Sequence, residues 1–128
     1  MEVAEQLSVF LENKPGVLAD VCGALAEAGV NLRAISVSDT VDHAVVRLVT
    51  TDSGLARSVL ERGGALVVET DVLVLTLANK PGALGEVAGK LSEAQVNIEY
   101  SYGSAGGEDS GILILRVDDV EKAQKALA

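Results

Sequence analysis

The sequence predicts an α+β protein made of two consecutive β-α-β-β-α-β units, each an antiparallel sheet with two helices on one face. Three observations carry this. Residues 13–31 and 79–97 coincide at 12 of 19 positions at an offset of 66, an internal duplication in a chain of 128 residues. Apolar spacing within each copy switches between the period of a strand and that of a helix. An Asn-Lys-Pro-Gly corner stands at the same point of both copies. The domains are read as residues 1–70 and 71–128. A unit of roughly 60 residues buries only about 60% of its unfolded surface, so each is expected to lean on the other or on a second chain.

The elements follow in order. Leu7, Val9 and Leu11 alternate with Ser8 and Glu12, which predicts a half-buried strand. Residues 72–77 are apolar almost throughout, as in a strand covered on both faces. Each strand stops at its corner, because proline fixes its own φ and turns the preceding lysine away from helical torsions. Val17, Leu18, Val21, Cys22, Leu25 and Ala28 then recur at helical spacing, as do Leu84, Val87, Ala88, Leu91 and Ala94. Gly29 stands where the end of a helix calls for positive φ. Two extended runs follow in each copy, 32–38 with 44–49 and 98–102 with 112–117.

A second helix is predicted around Leu55, Val59 and Leu60, ended by Gly63-Gly64, and its counterpart around Val120, Ala123 and Leu127. Residues 66–69 make a fourth strand, with Thr70-Asp71 as the break before the second copy. The order is that of the ferredoxin-like sandwich. The second copy lacks a counterpart of that fourth strand. Its bare sheet edge is expected to be covered by further chain or by a second molecule.

Composition narrows the function. The hydrophobic fraction is 48% and the charged fraction 23%, as in a packed protein. Phe10, Tyr100 and Tyr102 are the only aromatics, and the formal charge is −9. Nucleic acid and anionic membranes are poor partners for such a surface, since binding them requires basic clusters to release counterions. Stacking on single-stranded nucleic acid needs aromatics that are absent. No run approaches the ~20 apolar residues of a membrane-spanning helix. The start of the chain has neither the positive lead nor the apolar stretch of a signal peptide. The single Cys22 excludes an intramolecular disulfide and a multi-cysteine metal site. A cytoplasmic protein without cofactor is expected.

Candidate chemistry is sparse. His43 falls in a predicted turn beside Asp39 and Asp42, without a nucleophile or a third ligand, and reads as a solvated loop residue. Cys22 is matched by Ala88 and reads as a small buried side chain. The carboxylates Glu61, Glu69, Asp71, Glu86 and Glu93 are scattered over predicted surfaces with no acid–base pairing. The stretch 106–111, Gly-Gly-Glu-Asp-Ser-Gly, joins two strands and precedes no helix, which favours a hairpin loop over a phosphate loop. Gly23 and Gly89, inside the first helix of each copy, are read as sites of close helix packing. The corner itself leads into a helix whose first N–H groups lack intrahelical partners and favour a carboxylate. Asn13 and Asn79 either contact such a ligand or merely cap the helix. Both readings stand at this level.

The Asn-Lys-Pro-Gly corner, the helix after it and the following Val-Asn-[Leu/Ile], occurring twice in this order of elements, resemble the ACT domain. More narrowly, they resemble small proteins of two tandem ACT domains with no attached enzyme. The resemblance implies a regulatory module that binds an amino acid or similar effector where two such units meet. By position it implies contacts from Glu12, Asn13, Gly16, Val17 and Leu18 in the first corner and Asn79, Gly82, Ala83 and Leu84 in the second. From the second strands it implies Arg33, Ala34, Ile35 and Ser36, and Glu99, Tyr100, Ser101 and Tyr102. The acidic residue that usually precedes the corner asparagine is Glu12 in the first copy, but Ala78 stands there in the second. Tyr100 and Tyr102 either wall a pocket or pack on the sheet.

The function expected is therefore a non-catalytic, allosteric amino-acid-binding protein. It is expected as a homodimer, with an enzyme of amino-acid metabolism as its partner class. The alternative is a ligand-free interaction module serving as the regulatory subunit of a separate enzyme. An acyl-phosphate hydrolase on this fold would need an arginine-lined anion loop, and this corner offers only Lys14.

Overall fold

The structure, a computed structural model, describes residues 1–39, 43–105 and 109–128. It contains strands β1 (Glu2–Glu12), β2 (Leu32–Asp39), β3 (His43–Thr50), β4 (Leu66–Ala78), β5 (Ile98–Ala105) and β6 (Ser110–Val117). The helices are α1 (Val17–Glu27), α2 (Ser53–Arg62), α3 (Ala83–Glu93) and α4 (Val120–Leu127). Residues 106–108 of the 106–111 loop and the turn at 40–42 lie outside the described residues. His43, expected in that turn, is the first residue of β3 and stands opposite Glu12 of β1.

The chain divides into two compact units, Glu5–Thr70 and a second made of Met1–Ala4 with Asp71–Ala128. In the first unit the strands take the order β2-β3-β1-β4, and in the second β1-β4-β6-β5. The pairs β1–β3, β2–β3, β4–β6 and β5–β6 are antiparallel. Each unit is thus α+β with the ferredoxin-like order. The strand missing from the second repeat has a substitute within the chain, because Glu2–Ala4 at the start of β1 belongs to that unit.

The break expected at Thr70-Asp71 does not occur, and β4 runs through it as one strand of 13 residues. Neither residue demands positive φ or lacks an N–H, so nothing in the backbone chemistry stops a strand there. The guanidinium of Arg116 donates to the Asp71 carbonyl at 2.9 Å, holding β4 at that point. Burial of Val72, Leu73, Val74 and Leu75 on both faces matches the apolar run. The opening strand differs from expectation: Gln6, Leu7, Ser8 and Val9 are all buried, so it is not half-buried there, and the Gln6 amide donates to the Ser8 hydroxyl at 3.4 Å.

Each unit has its own core on the helix side of its sheet. In the first, Leu7, Val9, Val46 and Leu48 pack against Leu25, Ala56 and Leu60. In the second, Leu73, Leu75, Leu113 and Leu115 pack against Leu91 and Ala123. A buried aliphatic side chain contributes about 1.5–3 kcal/mol, which makes these layers the main stabilising term. Cys22 is half-buried rather than buried. Gly23 and Gly89 are exposed, and a Cβ on either would meet nothing within 4 Å, so they do not serve close helix packing within a unit. The helix ends match the pattern. Gly29 has φ +77°, with the Val30 N–H donating to the Leu25 carbonyl at 3.0 Å. The second repeat makes the same turn with Gln95 at φ 60°.

Two outcomes follow from this architecture. A side chain in the left-handed region costs about 1 kcal/mol, so Gln95→Gly raises stability by about that amount in urea unfolding, without changing the denaturant slope. Deleting Glu2–Ala4 removes the part of β1 that belongs to the second unit, and amide hydrogen exchange in the Asp71–Ala78 part of β4 accelerates relative to the full chain.

Candidate functional site

The corners are built alike. Gly16 at φ 90° and Gly82 at φ 88° are the N-caps of α1 and α3, both in the left-handed region. A Cβ on either would meet nothing within 4 Å, so conformation and not space requires glycine there. Neither helix has a side-chain cap. The Asp20 N–H donates to the Gly16 carbonyl and the Glu86 N–H to that of Gly82, both at 3.0 Å, and the Val17 and Ala83 N–H groups donate to the Lys14 and Lys80 carbonyls at 3.5 and 3.4 Å. The other two helices contrast sharply. The Asp52 carboxylate accepts from the Leu55 N–H at 3.0 Å, and that of Asp119 from the Lys122 N–H at 3.0 Å.

Electrostatically the corners diverge. Glu12 and Lys14 form an ion pair at 3.0 Å, largely in solvent. Its hydrogen bond to Lys14 and the lysine charge hold the Glu12 carboxyl below the usual range. In the second repeat Ala78 replaces Glu12, so Lys80 meets no acid at the equivalent place.

The second strands settle which side chains face the helices. Leu32 pairs with Thr50 and Ala34 with Val49, so Arg33 is the extra residue of a bulge. Glu99 is the extra residue at the same place in the second repeat, between Ile98–Val117 and Tyr100–Arg116. Its carboxylate lies 3.7 Å from Arg116. After the bulge, Ile35 and Ser101 share the core-facing side with Leu48 and Leu115. Ala34, Ser36, Tyr100 and Tyr102 lie on the opposite side. The two tyrosines therefore do not share a face with their own unit's corner.

A cleft adjoins each corner. The first, about 440 Å³, is lined by Phe10, Glu12, Lys14, Val17, Asp20, Ala24 and the 63–65 turn, among others. The second, about 310 Å³, lies on the other side of its corner, toward β5 and β6. It is lined by Leu77, Asn79, Lys80, Ala83, Leu84, Gly103, Ser104 and Leu113, among others. Of the residues anticipated from sequence, Glu12 and Val17 line the first cleft, and Asn79, Ala83 and Leu84 the second. Asn13, Gly16 and Leu18 belong to the corner outside the first cleft, as Gly82 does to the second. Arg33, Ile35, Ser36, Glu99, Tyr100, Ser101 and Tyr102 line neither. Gly103 was not anticipated, yet aligning the repeats places it opposite Val37, a signal the sequence contained.

The sequence pattern of an ACT domain pair matches residues 1–128. The chain belongs to the ACT domain pair family. Among solved structures, a protein from Bacteroides thetaiotaomicron is 36% identical, with a TM-score of 0.93 over 98% of this chain and 86% of its own. The ligand-free regulatory subunit of aspartate kinase from Thermus thermophilus has the same fold. It is 18% identical, with a TM-score of 0.71 over 99% of this chain and 95% of its own. E. coli aspartokinase III, solved with aspartate and ADP, shares the fold at 19% identity and TM-score 0.66, over 98% of this chain and 30% of its own. A comparison with curated proteins gave no significant match. Among the described residues of this ACT domain pair, no cluster of three or more His, Cys, Asp or Glu is placed to hold a metal ion. Among those residues, no helix is long and apolar enough to cross a membrane.

The cap assignment is open to measurement. Asp52→Ala and Asp119→Ala each lower stability by about 1 kcal/mol in chemical unfolding. Asn13→Ala stays within about 0.5 kcal/mol of the unmodified protein.

Proposed function

We propose that this ACT domain pair is a non-catalytic regulatory protein of the cytoplasm that binds a small effector, an amino acid, at its strand-to-helix corners. The carrying observation is the contrast between its helices. α2 and α4 begin under an aspartate, while α1 and α3 begin at left-handed glycines, which carry no side chain to cap them. An effector's carboxylate is the natural partner of such a helix start.

Effector binding acts by favouring one arrangement of ACT units, and so one state of an enzyme of amino-acid metabolism. The likeness to an aspartate kinase regulatory subunit supports that partner class. A homodimer is part of this reading, in which the second strand of a neighbouring unit completes each corner. Ile35 and Val37, 43% and 52% exposed on β2 at the end of its sheet order, support it. The same exposed edge favours the second reading, a ligand-free assembly module.

Isothermal titration of the full chain against the twenty amino acids decides between them. The effector reading expects saturable heat from at least one. Silence across the panel, together with a stable complex with an enzyme subunit, establishes the assembly module instead.

A further inference from the structure

The two repeats offer different receptors, and the difference traces to position 103. At an offset of 66, Val37 of β2 corresponds to Gly103 of β5. Both stand on the core-facing side of a strand at the end of its sheet order, Val37 opposite Val46 and Gly103 opposite Leu113. A Cβ at Gly103 would come to 2.7 Å from the Ile112 carbonyl oxygen and 3.3 Å from a Leu113 methyl. β5 can therefore lie this close to β6 only with glycine there. Gly103 lines the second cleft together with Leu84, which is 52% exposed.

Charge separates the clefts further. The first is lined by the carboxylates of Glu12 and Asp20 against the single cation of Lys14, which Glu12 already engages. Among the described residues, the second has Lys80 as the only charged side chain on its wall. In a chain of formal charge −9, a local positive site selects where an anion settles. The rest of that wall is largely aliphatic, with Leu77, Ala83, Leu84 and Leu113. A volume of about 310 Å³ stands at the small end of ligand sites.

We propose that the effector is held in the second repeat, in the cleft that Gly103 lines, and that this cleft selects a monocarboxylate with a short aliphatic chain. Lys80 attracts the carboxylate, and the leucines receive the chain. This rests on the effector reading above and names the repeat and the ligand class.

The test is titration of the full chain with L-alanine, L-valine, L-leucine and L-isoleucine, with L-aspartate and L-lysine for comparison. It uses the unmodified protein and the variants Leu84→Trp, Gly103→Ala and Ala24→Trp. Leu84 is half exposed, so an indole there fills the second cleft without entering the core. The expected result is binding of an aliphatic amino acid that Leu84→Trp and Gly103→Ala each weaken at least about tenfold. Ala24→Trp, which fills the first cleft, leaves affinity within about twofold. Should Gly103→Ala fail to fold, Leu84→Trp alone decides. Unchanged affinity in Leu84→Trp, lost affinity in Ala24→Trp, or tighter binding of aspartate overturns this inference and leaves the effector reading standing. Silence toward every amino acid in the unmodified protein overturns both.

Discussion

Backbone pairing is the constraint from which the rest follows. Two four-stranded units require eight strand segments, and the described residues of this ACT domain pair form six strands. The shortfall is met by the length of β1 and β4. Each contributes one part to Glu5–Thr70 and the other to the unit containing Asp71–Ala128. An unpaired strand edge invites pairing with another chain. Using a strand twice removes that liability at one side of each unit and leaves β2 and β5 as the ends of the two orders. Those ends carry the asymmetry between the repeats, with Ile35 and Val37 on β2 and Ser101 and Gly103 on β5.

The same economy shapes the corners. Proline-glycine must turn a fully paired strand into a helix at once, and a left-handed glycine accomplishes it without a side-chain cap. The exposed helix N-terminus is thus a by-product of the turn that recognition can use. Where the chain enters a helix from an ordinary loop, as at Asp52 and Asp119, it closes the end with a carboxylate. Lys14 and Lys80 then distinguish the corners. One is neutralised by a glutamate on its own strand, and the other faces alanine.

Much of this was legible from residues alone. The repeat, the helix faces, the corner and the left-handed turn at Gly29 all depend on local chemistry that a side-chain pattern records. Thr70-Asp71 misled because polar residues resemble a turn, while pairing on either side of them favoured an unbroken strand. Gly23 and Gly89 misled because repetition suggested packing where each unit offers only open space.

What the sequence determined by itself is therefore the duplicated α+β unit, its two cores and the chemical poverty of its corners. Tertiary structure decided the three matters that depend on distant partners. It assigned Glu2–Ala4 to the second unit, because strand pairing joins residues far apart in the chain. It turned Tyr100 and Tyr102 away from the corner, because a one-residue bulge reverses every side chain beyond it. It made Gly103 the residue that lets β5 lie close to β6, because the meaning of an absent side chain lies in the neighbours it would have met.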